Sequence, residues 1–157
     1  MTPRYSEHLI AEVPVVHAFR SISLGEGGWV DSLTSGTPRP NLLVLCSGVG
    51  LQPVVTRLAK LCRPPFDVCQ APAPGPLQLP EQRVSTLLTY DVAALTLRQQ
   101  IALYDWIGGP GRDAQVIAVT STPLFSLVED GGFLACLFHR LNVVHFLAAS
   151  ENVGDLR

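Results

Sequence analysis

The stretch from Arg112 to Leu147, RDAQVIAVTSTPLFSLVEDGGFLACLFHRLNVVHFL, constrains this chain more than any other. It opens on a continuous apolar run with β-branched residues, Gln115 to Thr120, passes through two segments of helical period, and closes on a second apolar run, Val143 to Leu147. A strand covered on both faces has no polar side to alternate with, so the two runs read as buried strands joined by a helical crossover. Thr122 offers an N-cap hydroxyl, Pro123 a first helical residue whose missing N–H has no partner there anyway, and Gly131-Gly132 a stop. Phe133, Leu137 and Leu141 then recur at i, i+4 and i+8, which predicts one apolar face on a second helix. The expectation is an α/β domain.

The rest of the chain repeats the alternation. Asn41 opens a strand, Leu42 to Cys46, that runs into Ser47-Gly48-Val49-Gly50, and Pro53 starts a helix through Cys62 with Val54, Val55, Leu58 and Leu61 on its apolar face. Phe66 to Cys69 and Val84 to Tyr90 are further strands, which with 42–46, 115–120 and 143–147 make five. Thr96 and Gln99 form a capping box for a helix through Ile107, ended by Gly108-Gly109-Pro110. Gln70 to Pro80 carries too many prolines for a helix or a central strand and reads as an extended, semi-rigid connector. Residues 1–40 are a poorly defined N-terminal segment, with a helix expected somewhere in 5–20, interrupted by Pro14, and another around Trp29 to Leu33.

A length of 157 residues and 16.9 kDa suits one domain, 1–157, able to bury a core. With 47% hydrophobic and 15% charged residues, the chain fits a sheet covered on both faces or a surface hidden in a partner. A net charge of -2 gives no basic field for direct nucleic acid binding. No apolar run is long enough to span a membrane, and MTPRYSEHLIAEV lacks the basic start and apolar centre of a signal peptide, so a cytoplasmic protein is expected. Cys46, Cys62, Cys69 and Cys136 show no C-x-x-C spacing and read as buried free thiols. Cys136 and His139 stand at i, i+3, but without a second pair core packing outweighs a metal site. His139 and His145 read as satisfied or partly exposed histidines.

The identities within the long stretch add a resemblance. VIAVTSTPLFSLVEDGGFLACLFHRLNVV resembles a segment of the AAA+ domain of bacterial sigma-54 activators, in which a strand close to VIAATNRDL is followed by a helix, a Gly-Arg-Phe corner and FREDLFHRLNV. Phe138 to Val143 matches the end of that phrase without a substitution. The resemblance implies a three-layer P-loop NTPase-like domain with a mostly parallel five-stranded sheet. The family's phosphate-binding phrase GESGTGKE falls on Leu45 to Gln52, so the first glycine is Leu45, the lysine is Leu51, and Ser47, Gly48 and Gly50 remain as a vestigial P-loop whose glycines keep φ freedom. On this segment alone, a plain strand-to-helix turn with two glycines is the simpler reading. Thr86 to Gln100 resembles the family's TLFLDEIGELPLxxQ, with Tyr90 at the magnesium-binding Asp and Asp91 at the catalytic Glu. Ser121 stands at the sensor Asn, and Leu134 and Arg140 at the two arginines offered to a neighbouring subunit.

Hydrolysis of this kind needs phosphate charge neutralised by lysine and magnesium, a positioned water and trans arginines. Of those parts Asp91, Ser121 and Arg140 survive as candidates, and Arg140 also reads as a residue that pairs a carboxylate or caps its helix. The resemblance therefore implies a non-catalytic, pseudo-ATPase domain in bacterial transcription regulation, with no cofactor, ATP binding weak or absent, and a protein partner or self-association as its mode of action. The connector Gln70 to Pro80 stands where the family has its GAFTGA loop, and with ten residues after Leu147 neither a helical lid nor a DNA-binding domain is expected. Two alternatives stand beside this: a residual ATP-binding protein or NTPase switch using Gly48, Gly50, Asp91 and Arg140 with a partner chain, and a structural subunit of a larger assembly.

Overall fold

All five expected strands form and pair in parallel. The computed structural model describes residues 21–22, 33–35, 39–47, 50–71 and 74–149. The helix expected in 5–20 lies outside them, and of the one expected near Trp29 to Leu33 only the helical residues 33–35 are described. The strands are β1 (Ser21–Ile22), β2 (Leu42–Ser47), β3 (Phe66–Gln70), β4 (Thr86–Tyr90), β5 (Gln115–Thr120) and β6 (Val144–Ala149). Their order across the sheet is β1-β6-β2-β5-β4-β3. The two-residue β1 makes the sheet six-stranded by pairing with Leu147 and Ala148 at one edge. The helices are α1 (Leu51–Ala59), α2 (Leu97–Gly108), α3 (Leu124–Glu129) and α4 (Ala135–Leu141).

The order of strands decides which face each helix covers. The step from β2 to β3 crosses the sheet in one direction, and the steps through β4 and β5 to β6 return in the other. Right-handed crossovers therefore place α1 on one face and α2, α3 and α4 on the other. Packing agrees. Leu42, Val44, Ile117 and Val119 meet Val54, Val55 and Leu58 of α1, while Leu43, Leu87, Val116 and Ala118 meet Leu103, Ile107, Leu137 and Leu141. All six residues of β5 are buried, as its unbroken apolar pattern requires.

Local chemistry sets the helix ends, with several departures from the sequence reading. The capping box of α2 is present, with Gln99 N–H donating to Thr96 Oγ1 at 3.3 Å and Thr96 N–H to Gln99 Oε1 at 2.9 Å. Helix α1 begins at Leu51, so Pro53 is its third residue rather than its first, still within the turn whose N–H groups have no helical acceptor. Thr122 does not cap α3. Pro123 occupies the N-cap position, and the turn before it is closed by the Thr120 hydroxyl, which accepts from Thr122 N–H at 3.1 Å and donates to Thr122 C=O at 2.8 Å. Phe133 precedes α4 instead of lying in it, yet it is buried in the same cluster as Leu137 and Leu141. Cys136 is exposed, against the expectation of four buried thiols, whereas Cys46, Cys62 and Cys69 are buried.

The connector after β3 is anchored to the body of the domain. Leu77 is buried in the core, Gln99 Nε2 donates to Gly75 C=O at 2.8 Å, and Trp106 Nε1 donates to Pro80 C=O at 3.1 Å. Missing N–H groups and restricted φ keep it out of the sheet, and α2 holds it at both side-chain contacts.

Candidate functional site

In an open parallel sheet, ligands bind beyond the carboxyl ends of strands where the connections leave toward opposite faces. Here β2 feeds α1 on one face and its neighbour β5 feeds α3 on the other, so the crevice lies at the ends of β2 and β5. Ser47, Gly50 and Ser121 lie at or just beyond these ends, and Asp91 follows β4, the next strand over. Adjacent strands are about 4.8 Å apart, so β2 and β4 are separated by roughly 10 Å. The sheet therefore gathers Ser47, Gly50, Asp91 and Ser121 along one edge.

The described residues of the P-loop-like phrase are the end of a strand and the start of a helix. Leu45, Cys46 and Ser47, aligned with the start of the P-loop phrase, belong to β2 and pair with Leu147, Ala148 and Ala149. Gly48 lies outside the described residues. Gly50 is the N-cap of α1 with φ -63 and ψ 149, a conformation open to any residue, and an added Cβ would meet nothing closer than Pro53 Cδ at 3.5 Å. The φ freedom expected there is thus not used.

Leu51 and Tyr90, at the lysine and magnesium-Asp positions, both pack against one hydrophobic cluster, that of Val54, Val55, Leu58 and Val119. The Tyr90 hydroxyl donates to Gln70 Oε1 at 2.9 Å across the β4–β3 pair. Asp91 has φ 61 and ψ 37, the left-handed region that Asp tolerates better than most residues, and its C=O accepts from Ala94 N–H at 2.9 Å to start a 3-10 turn, Val92–Ala94. Ser121 is exposed beyond β5. Among the described residues, no group of three or more His, Cys, Asp or Glu side chains could hold a metal ion.

Arg140 lies elsewhere. It is in the last turn of α4, which leads into the amino end of β6, and Asn41, just before β2, donates from Nδ2 to its C=O at 2.9 Å. A six-residue strand such as β5 spans about 20 Å, so Arg140 is a sheet's length from the Gly50 edge and cannot join it within one chain. Its guanidinium carbon sits 4.9 Å from the centroid of the Tyr104 ring, within cation–π range. Around it opens a cleft of about 430 Å³ lined by residues that include Arg39, Arg112, His139 and Val143.

Sequence reasoning missed this cleft, and it missed two buried glutamines. Gln115 donates from Nε2 to Pro40 C=O at 2.7 Å and Leu33 C=O at 3.0 Å. Gln100 donates to Leu95 C=O at 3.0 Å and Gly132 C=O at 3.1 Å. For Gln100 a signal existed, since it matches the closing Gln of TLFLDEIGELPLxxQ.

Among solved structures, the fold is similar to NtrX from Brucella abortus in complex with ATP, at 18% identity and TM-score 0.55, and to NtrX from the same organism in complex with ADP, at 18% identity and TM-score 0.58. Each comparison covers 91% of this chain and 42% of the other, so the chain spans less than half the length of these proteins. The architecture shared with these structures is a three-layer α/β fold with a mostly parallel sheet. No protein-family model matches the chain, and no curated protein does. No helix among the described residues is long and apolar enough to cross a membrane.

Proposed function

We propose that this chain is a degenerate AAA+ domain of the sigma-54 activator type that acts in bacterial transcription regulation through protein contacts, without catalysis. The observation that carries this reading is the packing of Leu51 and Tyr90 against one hydrophobic cluster. The NtrX structures hold ATP and ADP. In this chain the position aligned with the phosphate-neutralising lysine is a partly buried leucine packed against that cluster, and the position aligned with the magnesium carboxylate is a tyrosine bonded to Gln70. Phosphate charge brought against that surface would be desolvated without a counter-ion. The docked connector supports the same reading, because a segment held by Gln99 and Trp106 is not a projecting loop for gripping a sigma factor.

Calorimetry with Mg-ATP on the full chain is the test. No binding in the low micromolar range and no turnover are expected, and Leu51→Lys alone should restore little activity, because parts of one catalytic unit do not act additively. A low micromolar dissociation constant, or turnover that vanishes in Asp91→Asn, would overturn the reading in favour of a residual NTPase switch.

A further inference from the structure

The cleft at the amino ends of the strands gathers positive charge on a chain whose net charge is -2. Among the described residues, Arg39, Arg112, Arg140 and His139 line it, and no carboxylate does. Asp113, next to Arg112 in sequence, is engaged by Arg83. Burial and the nearby Arg63 both lower the Arg39 pKa, as crowding of like charge predicts. Arg140 is held in place by its stack on Tyr104, so its guanidinium is positioned before any ligand arrives.

We propose that this cleft docks an acidic segment of a protein partner, its carboxylates taken by Arg39, Arg112 and Arg140. The proposal rests on the protein-interaction reading above and names the chemistry of the partner. One feature favours a peptide over a phosphate group. The cleft includes apolar surface from Ile107 and from Val143, which is 48% exposed, and that suits a chain in which acidic and apolar side chains mix. Guanidinium forks bind carboxylates in two-point contacts, and several along one groove read a run of acids.

The experiment is fluorescence anisotropy with a labelled peptide of alternating Glu and Leu, on the full chain, across a salt series. Binding that weakens with salt is expected, with a loss of about tenfold or more in Arg112→Glu and little change in Lys60→Glu, an exposed basic residue outside the cleft. Arg112 is exposed and its backbone N–H donates to Gly109 C=O, a bond the substitution leaves in place, and thermal melts of each variant will show that the fold is kept. Absence of binding, or binding that Arg112→Glu leaves intact, overturns the proposal while the non-catalytic reading stands on its Mg-ATP result. Tripolyphosphate binding more tightly than the peptide, with the same dependence on Arg112, overturns it in favour of a phosphate site.

Discussion

Gln100 Oε1 accepts the backbone N–H of Leu134 at 2.8 Å, joining helix α2 to the corner that opens α4. The same side chain donates to Leu95 and Gly132 carbonyls, so one buried amide satisfies three backbone groups. Gln100 closes the stretch that resembles TLFLDEIGELPLxxQ, and Leu134 stands at the first arginine position of FREDLFHRLNV. Two segments that resemble catalytic motifs are thus linked by a bond whose work is structural.

Gln100→Leu should destabilise the domain by about 2–4 kcal/mol, because it removes the partner of a part-buried N–H and of two carbonyls, one of them in a buried bond. Thr96→Ala, which removes only an N-cap hydroxyl, should lose about 1 kcal/mol. Urea unfolding of both variants checks the ranking. Equal losses would show that the Gln100 network is solvated.

Gly111 lies under the Trp106 indole. A Cβ there would fall 2.2 Å from Trp106 Cζ3, and Gly111 N–H already donates to Trp106 C=O at 2.7 Å. Gly111→Ala should therefore cost about 1–3 kcal/mol through overpacking and displace the indole from Pro80. A blue- or red-shifted tryptophan emission together with a lowered melting temperature is the expected pair of signals, and an unchanged melting temperature would refute the close approach.

Thiol chemistry should separate the four cysteines. Burial pushes the Cys46, Cys62 and Cys69 thiols up to about 11, with Asp67 adding to the effect at Cys69, and Cys136 is exposed. A disulfide reagent at pH 8 should titrate one thiol rapidly and the other three only on unfolding. Rapid reaction in Cys136→Ser would contradict the buried placement of the rest.

His145 lies half-buried on β6, and burial lowers its pKa from 6.5. Between the lowered folded value and 6.5 the unfolded chain binds a proton that the folded chain does not, so stability rises with pH in that window. Acidification from pH 7.5 to 5.5 should lower the urea midpoint of the wild type more than that of His145→Gln. Parallel declines in the two proteins would remove His145 as the cause.

Much of the fold was legible in the sequence because the signals are local. Unbroken apolar runs mark strands covered on both faces, and Thr96 and Gln99 write their capping box within four residues. The identities of Leu51 and Tyr90 alone were enough to question phosphate binding. Tertiary structure alone decided that these two side chains share one cluster, that the proline connector is docked on α2, and that Arg140 stands at the opposite end of the sheet from Gly50 and Asp91. It also decided the roles of Gln100 and Gln115, whose partners lie 34 and 75 residues away. The physical reason is range. Periodicity and capping act over one or two turns, whereas the handedness of the crossovers and the burial of polar groups are settled only when distant segments meet.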